Sequence, residues 1–104
     1  MRTRKSFYAK ELQKQYGKMT FGRFLIAWRE SEGMTQAQFA KRLDLSAANL
    51  CDLEQGRRIP SPVRAKKIAK RLGLPEKGLI ALALQDALHD EGLLYAVILE
   101  EEAA

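Results

Sequence analysis

Apolar residues recur every three or four positions along this chain, in short stretches that a hydroxyl residue or a proline opens and a glycine closes. Over residues 20–32, Phe21, Leu25 and Trp28 form one such stripe, and Gly33 follows it. This spacing places side chains on one face of an α-helix, which then packs against its neighbours. The pattern therefore predicts a helix over this stretch.

Two shorter helices are predicted next, with a break of only two residues between them. Thr35 and Ser46 are each placed to accept hydrogen bonds from the free amides of the turn that follows. The apolar positions after them predict helices over residues 36–43 and 47–55, with residues 44–45 as the only connection. So short a connection makes the helices cross steeply and leaves the outer face of the second helix uncovered.

The remaining segments give two further helices near the carboxyl end, one near the amino end and one ambiguous run. Two prolines interrupt the chain after the second short helix, and helices are expected over residues 62–72 and 75–89. Near the amino end, residues 6–17 repeat an aromatic or leucine every four positions, which predicts another helix. Residues 93–99 are continuously apolar, which fits a strand or a buried helix, and we slightly favour a short strand.

The formal net charge of +5 is unevenly distributed along the sequence. Residues 1–20 carry six basic side chains and one acidic, and residues 57–78 carry eight basic and one acidic. Residues 79–104 carry six acidic side chains and no lysine or arginine. Basic charge therefore brackets the two short helices, as suits a polyanionic ligand, whereas the acidic tail does not.

The two short helices and the loops around them carry a recurring set of residues at fixed positions: Thr35, Gln36, Ala40, Leu45, Ser46, Leu50, Glu54, Gly56, Arg57, Arg58, Pro60, Ser61, Ile68, Ala69, Leu72 and Gly73. This set resembles the helix-turn-helix domain of phage repressor and Cro proteins, the Xre family of bacterial regulators. The resemblance covers about residues 20–74 and rests on many positions, which makes it more specific than one short motif. Asp44 stands where that family usually has glycine, and aspartate tolerates the same left-handed backbone.

The resemblance and the helical patterns together imply an all-α fold of five to six helices, a repressor-like helix-turn-helix domain. A chain of 104 residues suits one such core. We divide it into a basic N-terminal extension (residues 1–19), the helix-turn-helix domain (20–74) and a C-terminal helix with an apolar segment and acidic tail (75–104). The short strand or helix in the last part is a candidate dimerisation element.

The resemblance implies that residues 47–55 form a helix that enters the major groove of DNA. If Leu50 and Leu53 face the core, the residues expected to read bases are Ala47, Ala48, Asn49 and Asp52. Asparagine can pair with adenine through two hydrogen bonds, aspartate can accept from cytosine, and alanine methyl groups suit the thymine methyl. No arginine on this helix is available for guanine. The alternative is a solvated helix face.

Other residues are expected to bind the DNA backbone: Gln36, Ser46, Arg57 and Arg58. Gln36 stands at the amino end of a helix, where free amides attract phosphate, and the two arginines follow the reading helix. Helix capping is the alternative for Gln36, and surface solvation is the alternative for the arginines. The resemblance also implies that Arg29 and Glu54 form a mostly buried, structural ion pair.

The sequence lacks the residue combinations that catalysis or metal binding usually requires. Cys51 and His89 are the only cysteine and histidine, and no glycine-rich phosphate loop is present. We therefore expect no enzymatic activity, no cofactor and no metal. No apolar run is long enough to cross a bilayer or to act as a secretion signal, so a cytoplasmic protein without membrane contact is expected.

The expected function is sequence-specific binding of double-stranded DNA by a transcriptional regulator, in the first place a repressor. A single helix-turn-helix unit buries little DNA, so we expect a homodimer on a palindromic operator, joined through the apolar C-terminal elements. Residues 93–99 folding back on their own monomer is the alternative. Two other functions stay open: an antitoxin that binds a toxin protein and represses its own operon, and an interaction module that has lost DNA binding.

Overall fold

The computed structural model describes residues 19–103, which form five α-helices and no strand. The helices are α1 (Phe21–Ser31), α2 (Gln36–Arg42), α3 (Ala47–Glu54), α4 (Pro62–Leu72) and α5 (Glu76–Asp90). The all-α class and the five helices predicted in this part of the chain are confirmed, whereas the helix predicted over residues 6–17 lies outside the described residues. None of the five helices combines the length and apolarity needed to cross a membrane.

Four of the helices begin at a hydroxyl residue, and at Thr35 and Ser46 the sequence predicted this cap. A backbone N–H three residues further on donates to the side-chain oxygen of Thr20, Thr35, Ser46 and Ser61. At α2 the Gln38 side chain also accepts the Thr35 N–H at 2.9 Å, which completes a capping box. Each such cap stabilises its helix by about 1 kcal/mol.

The turn between α2 and α3 contains the two residues that the pattern predicted, Asp44 and Leu45, with the caps Leu43 and Ser46 on either side, because α2 ends one residue earlier than predicted. Asp44 adopts a φ of 59°, the left-handed conformation that glycine takes more easily. The N–H of Leu45 donates to the carbonyl oxygen of Ala40 at 2.9 Å. A left-handed conformation costs a residue with a Cβ about 1 kcal/mol, so the turn forms with modest strain.

One apolar core joins the helices, and its largest fully buried side chains are Phe21, Phe39, Leu25, Leu50, Leu53 and Ile68. Helix α5 packs along α4 and also contacts α1. There the backbone N–H of Phe21 donates to Oδ2 of Asp86 at 2.8 Å. A carboxylate interacts favourably with the free amides at a helix amino end, so this contact fastens α1 to α5.

Residues 93–99 form neither a strand nor a helix, so both structures expected for this segment were wrong. The segment turns back beside α5, where the N–H of Val97 donates to Oε1 of Gln85 at 3.0 Å. Nε2 of His89 lies 3.0 Å from the carbonyl oxygen of Tyr95. Residues 19–103 contain no strand with which this segment could pair. A strand without a partner leaves its backbone groups unpaired, which explains why none forms here.

Candidate nucleic-acid interface

Helix α3 has one packed face and one open face. Leu50 and Leu53 are buried in the core. Residues 48, 49 and 52 share a face because residues three and four apart are neighbours on a helix. The structure therefore leaves fully or partly exposed, away from the core, the four residues expected to read bases: Ala47, Ala48, Asn49 and Asp52.

The side-chain amide of Asn49 makes no hydrogen bond to any residue in the range 19–103. Its backbone N–H donates to Oγ of Ser46 at 3.1 Å, which leaves the amide group itself uncommitted. An amide offers two donor hydrogens and one acceptor oxygen, enough to pair with two atoms of a base edge. Ala47 and Ala48 beside it end in methyl groups, which neither compete for hydrogen bonds nor obstruct approach to a groove.

Two of the residues expected to bind phosphate, Ser46 and Gln36, lie at helix amino ends and also form bonds inside the protein. Oγ of Ser46 accepts the N–H that caps α3, and its own proton stays available as a donor. Nε2 of Gln36 donates to Oε1 of Glu54 at 2.8 Å, which uses one of its two amide protons. Both residues lie at helix amino ends, where unpaired backbone amides attract phosphate.

Arg57 and Asp52 form an ion pair on the open side of α3. Nε of Arg57 lies 2.9 Å from Oδ1 of Asp52, and Nη2 lies 3.4 Å from Sγ of Cys51. The hydrogen bond to Asp52, and then that to Cys51, raises the pKa of Arg57. An expected base-reading residue and an expected phosphate-binding residue are therefore in direct contact with each other.

Glu54, at the carboxyl end of α3, is a buried carboxylate with 5% exposure. Arg29 donates to it twice, from Nε to Oε2 at 2.8 Å and from Nη2 to Oε1 at 3.2 Å, and Gln36 adds a third bond. The hydrogen bond to Glu54 raises the pKa of Arg29, despite the opposing effect of burial. A buried charge is tolerated only when it is paired and hydrogen-bonded. This group of three residues joins α1, α2 and α3 and thereby fixes the direction of the open face.

Gly22 also positions α3, although the apolar pattern of α1 did not indicate this role. It is buried inside α1, and its Cα lies against the last turn of α3. A glycine within an otherwise apolar helical stripe is the signal of such a close approach between two backbones. Gly22 allows α1 and α3 to touch.

Basic side chains are exposed along the loop after α3 and along α4. Arg57 and Arg58 lie in the loop, and α4 exposes Arg64, Lys66, Lys67, Lys70 and Arg71. An open groove of about 650 Å³ lies between α4 and the turn that joins α2 to α3. Exposed positive charge in this arrangement suits a polyanionic ligand such as a phosphate backbone.

Comparison with known proteins identifies a helix-turn-helix domain in this chain. The family model described as a helix-turn-helix domain matches residues 20–82. Over 62 residues the chain is 39% identical to the HTH-type transcriptional repressor RghR of Bacillus subtilis (strain 168). The matched part is 59% of this chain and 46% of that protein, so the chain spans about half the length of this relative. No solved structure matches the chain.

Proposed function

The chain belongs to the helix-turn-helix domain family of DNA-binding transcriptional regulators, and we propose that it is a repressor that reads double-stranded DNA with the open face of α3. The observation that carries this proposal is the uncommitted amide of Asn49, presented beside two alanine methyl groups. The contacts of Glu54 with Arg29 and Gln36 hold the helix that presents it at a fixed angle.

In the proposed complex α3 lies in the major groove. Asn49 pairs with N6 and N7 of an adenine, and the methyl groups of Ala47 and Ala48 contact thymine methyl groups. Because these two side chains are short, the backbone of α3 approaches the base edges closely. The short side chain of Asn49 can then reach the adenine.

Contacts with phosphates set the register of α3 along the groove. We assign this role to Gln36 and Ser46 at the amino ends of α2 and α3, and to Arg58 in the loop after α3. Arg58 is exposed, and its side chain makes no hydrogen bond to another described residue, so its guanidinium group is available. Such contacts add affinity for any DNA sequence and make binding depend on salt.

The repressor acts as a homodimer joined through residues 93–99. Leu94, Tyr95 and Ile98 expose 78%, 65% and 66% of their surface, a concentration of large apolar side chains that marks an interaction site. A second copy covers these side chains by two-fold symmetry. Two α3 helices about 34 Å apart would then read the two halves of a palindromic operator.

The alternative function, an antitoxin that also represses its own operon, is favoured by the same apolar segment. Leu94, Tyr95 and Ile98 fit a toxin protein as well as a second copy, while α3 remains free to bind DNA. A gene for a small, basic, ribonuclease-like protein directly beside this one would support the antitoxin.

Binding of the purified protein to the DNA upstream of its own gene and to random-sequence DNA, across a salt series, tests the proposal. We expect tight, steeply salt-dependent binding to the upstream DNA. Asn49→Ala should lose the preference for that DNA, whereas Arg58→Ala should weaken binding to both DNAs equally. Absence of binding to either DNA at low salt would overturn the proposal and favour an interaction module.

A further inference from the structure

We propose that Arg57 reads a guanine in the major groove and that Asp52 positions it for this contact. The inference rests on the proposed function, because it concerns the same helix in the same groove. It replaces the phosphate contact that the sequence suggested for Arg57 and supplies the guanine reader that α3 lacks.

The chain after α3 directs the Arg57 side chain back onto the helix. Gly56 takes a φ of 77°, which reverses the chain, and the backbone N–H of Arg57 donates to the carbonyl oxygen of Asp52 at 2.9 Å. The guanidinium group then lies beside the last turns of α3, where Nε contacts the Asp52 carboxylate and Nη2 contacts Sγ of Cys51. Arg57 is therefore attached to α3 at both its backbone and its side chain.

These contacts use one edge of the guanidinium group and leave the other open. The edge formed by Nε and the inner hydrogen of Nη2 faces Asp52 and Cys51. The outer edge, formed by Nη1 and the second hydrogen of Nη2, makes no hydrogen bond to the part of the chain that the structure describes. Two parallel N–H groups on such an edge match the O6 and N7 acceptors of guanine.

The position of Asp52 places this open edge in line with the other reading residues. Asp52 lies one helical turn after Ala48 and three residues after Asn49, so the three share the open face of α3. The side chains of Arg57 and Asp52 are 59% and 37% exposed. The guanidinium group thus extends the reading surface towards the carboxyl end of α3.

The ion pair also removes an obstacle to binding. A lone carboxylate at Asp52 would be repelled by the DNA phosphates, and Arg57 neutralises it. The neighbouring Arg58 differs, because its side chain has no hydrogen bond to a described residue and must lose more conformational freedom when it binds. An arginine held in place by other side chains suits a base edge at a fixed position. An arginine without such contacts suits the phosphate backbone, which offers the same group at every step.

Selection of bound duplexes from a random-sequence pool tests the inference with four proteins: the wild type, Arg57→Ala, Arg57→Lys and the matched control Arg58→Ala. We expect the wild type to enrich a motif with an essential guanine in each half-site. Arg57→Ala should lose that guanine and keep the rest of the motif, and Arg57→Lys should prefer the guanine less strongly than the wild type, because lysine retains the charge but not the two-pronged edge. Arg58→Ala should keep the whole motif.

Dissociation constants for the selected duplex and for a duplex with that guanine replaced by adenine make the test quantitative. The wild type should prefer the guanine by about tenfold or more, and the preference should fall to near unity for Arg57→Ala. Arg57→Lys should keep the salt dependence of the wild type, whereas Arg58→Ala should lower its slope by about one. Thermal unfolding checks that each variant is folded.

The outcomes separate this inference from the function on which it rests. If Arg57→Ala enriches the wild-type motif and only loses affinity uniformly, Arg57 is a phosphate contact and the inference fails while the proposed function stands. If the folded wild type enriches no motif, the proposed function fails and the inference falls with it.

Discussion

Gly22 of α1 and Leu53 of α3 bring the backbones of the two helices into contact, because a Cβ added to Gly22 would lie 2.5 Å from the Leu53 carbonyl oxygen. The carbonyl oxygen of Glu54 would lie 2.6 Å from the same added Cβ. Backbone atoms cannot move aside as the end of a flexible side chain can. The spacing between α1 and α3 therefore requires glycine at this position.

Replacing Gly22 with alanine should lower the free energy of unfolding by about 1–3 kcal/mol, the usual effect of overpacking a core. The clash outweighs the gain of about 1 kcal/mol that alanine brings to a helix interior. Urea denaturation measures the change. The matched control is Gly78→Ala in α5, where nothing lies within 4 Å of the added Cβ, and it should stabilise the protein by about 0.5–1 kcal/mol. Equal effects of the two substitutions would refute the close contact.

Replacing Glu54 with alanine should destabilise the protein by about 3 kcal/mol, because it leaves the Arg29 guanidinium without its buried partner. The matched control is Glu32→Ala, which removes an exposed ion pair with Arg42 at 3.8 Å. Such a pair contributes less than about 0.5 kcal/mol. Chemical denaturation of both variants makes the comparison, and a loss at Glu54 no larger than that at Glu32 would contradict the role assigned to the buried carboxylate.

Asp44→Gly should stabilise the protein by about 0.5 kcal/mol, because glycine takes a positive φ without strain although it is more flexible when unfolded. Asp44→Val should destabilise it by about 1–2 kcal/mol, since a β-branched residue resists that conformation. Asp44→Asn is the control, as it removes only the exposed contact with Arg71 at 3.5 Å. Thermal unfolding should give the highest unfolding temperature for Asp44→Gly, then for Asp44→Asn, and the lowest for Asp44→Val. Equal unfolding temperatures would show that the turn is not strained.

Asp52→Asn should raise affinity for random-sequence DNA and lower the preference for a selected motif. The variant removes a negative charge from the open face and releases Arg57, whose guanidinium group then binds any phosphate. Competition of specific with random-sequence DNA measures the preference directly. If Asp52 has a purely structural role, the preference for the selected motif should not change, because loss of the negative charge raises affinity for specific and random DNA alike.

Deleting residues 93–104 should convert a homodimer into a monomer without loss of helix. The segment contacts α5 at its surface, through Gln85 and His89, and contributes no side chain to the core. Light scattering gives the mass, for which the full chain has 11.8 kDa per copy. The point variant Leu94→Asp should act in the same way, while Val63→Asp, at another exposed apolar position on α4, should not. A dimer that survives the deletion would eliminate this interface.

The helices and the α2–α3 turn could be predicted because their signals are local. A cap such as Ser46 and the amide that it accepts are three residues apart, and the tolerance of Asp44 for a positive φ is a property of the residue itself. Helical spacing also indicated that Leu50 and Leu53 face inward and thereby which side of α3 is open. These predictions needed no knowledge of how the helices pack.

Contacts between distant parts of the chain could not be predicted in the same way. Phe21 and Asp86 are 65 residues apart, and only the return of α5 to α1 brings them together. The Arg57–Asp52 pair depends on the reversal of the chain at Gly56. Residues 93–99 have no period that distinguishes strand from helix, and the described chain gives them no strand partner.

The open and packed faces of α3 share no residue. Leu50, Leu53 and Glu54 hold the helix in place, whereas Ala47, Ala48 and Asn49 contribute no side chain to the core. Mutations on the open face therefore carry almost no penalty in folding. If α3 reads DNA as proposed, a few surface substitutions on this face can give the protein a new DNA preference while its fold stays unchanged, which makes the domain a suitable scaffold for evolution or engineering.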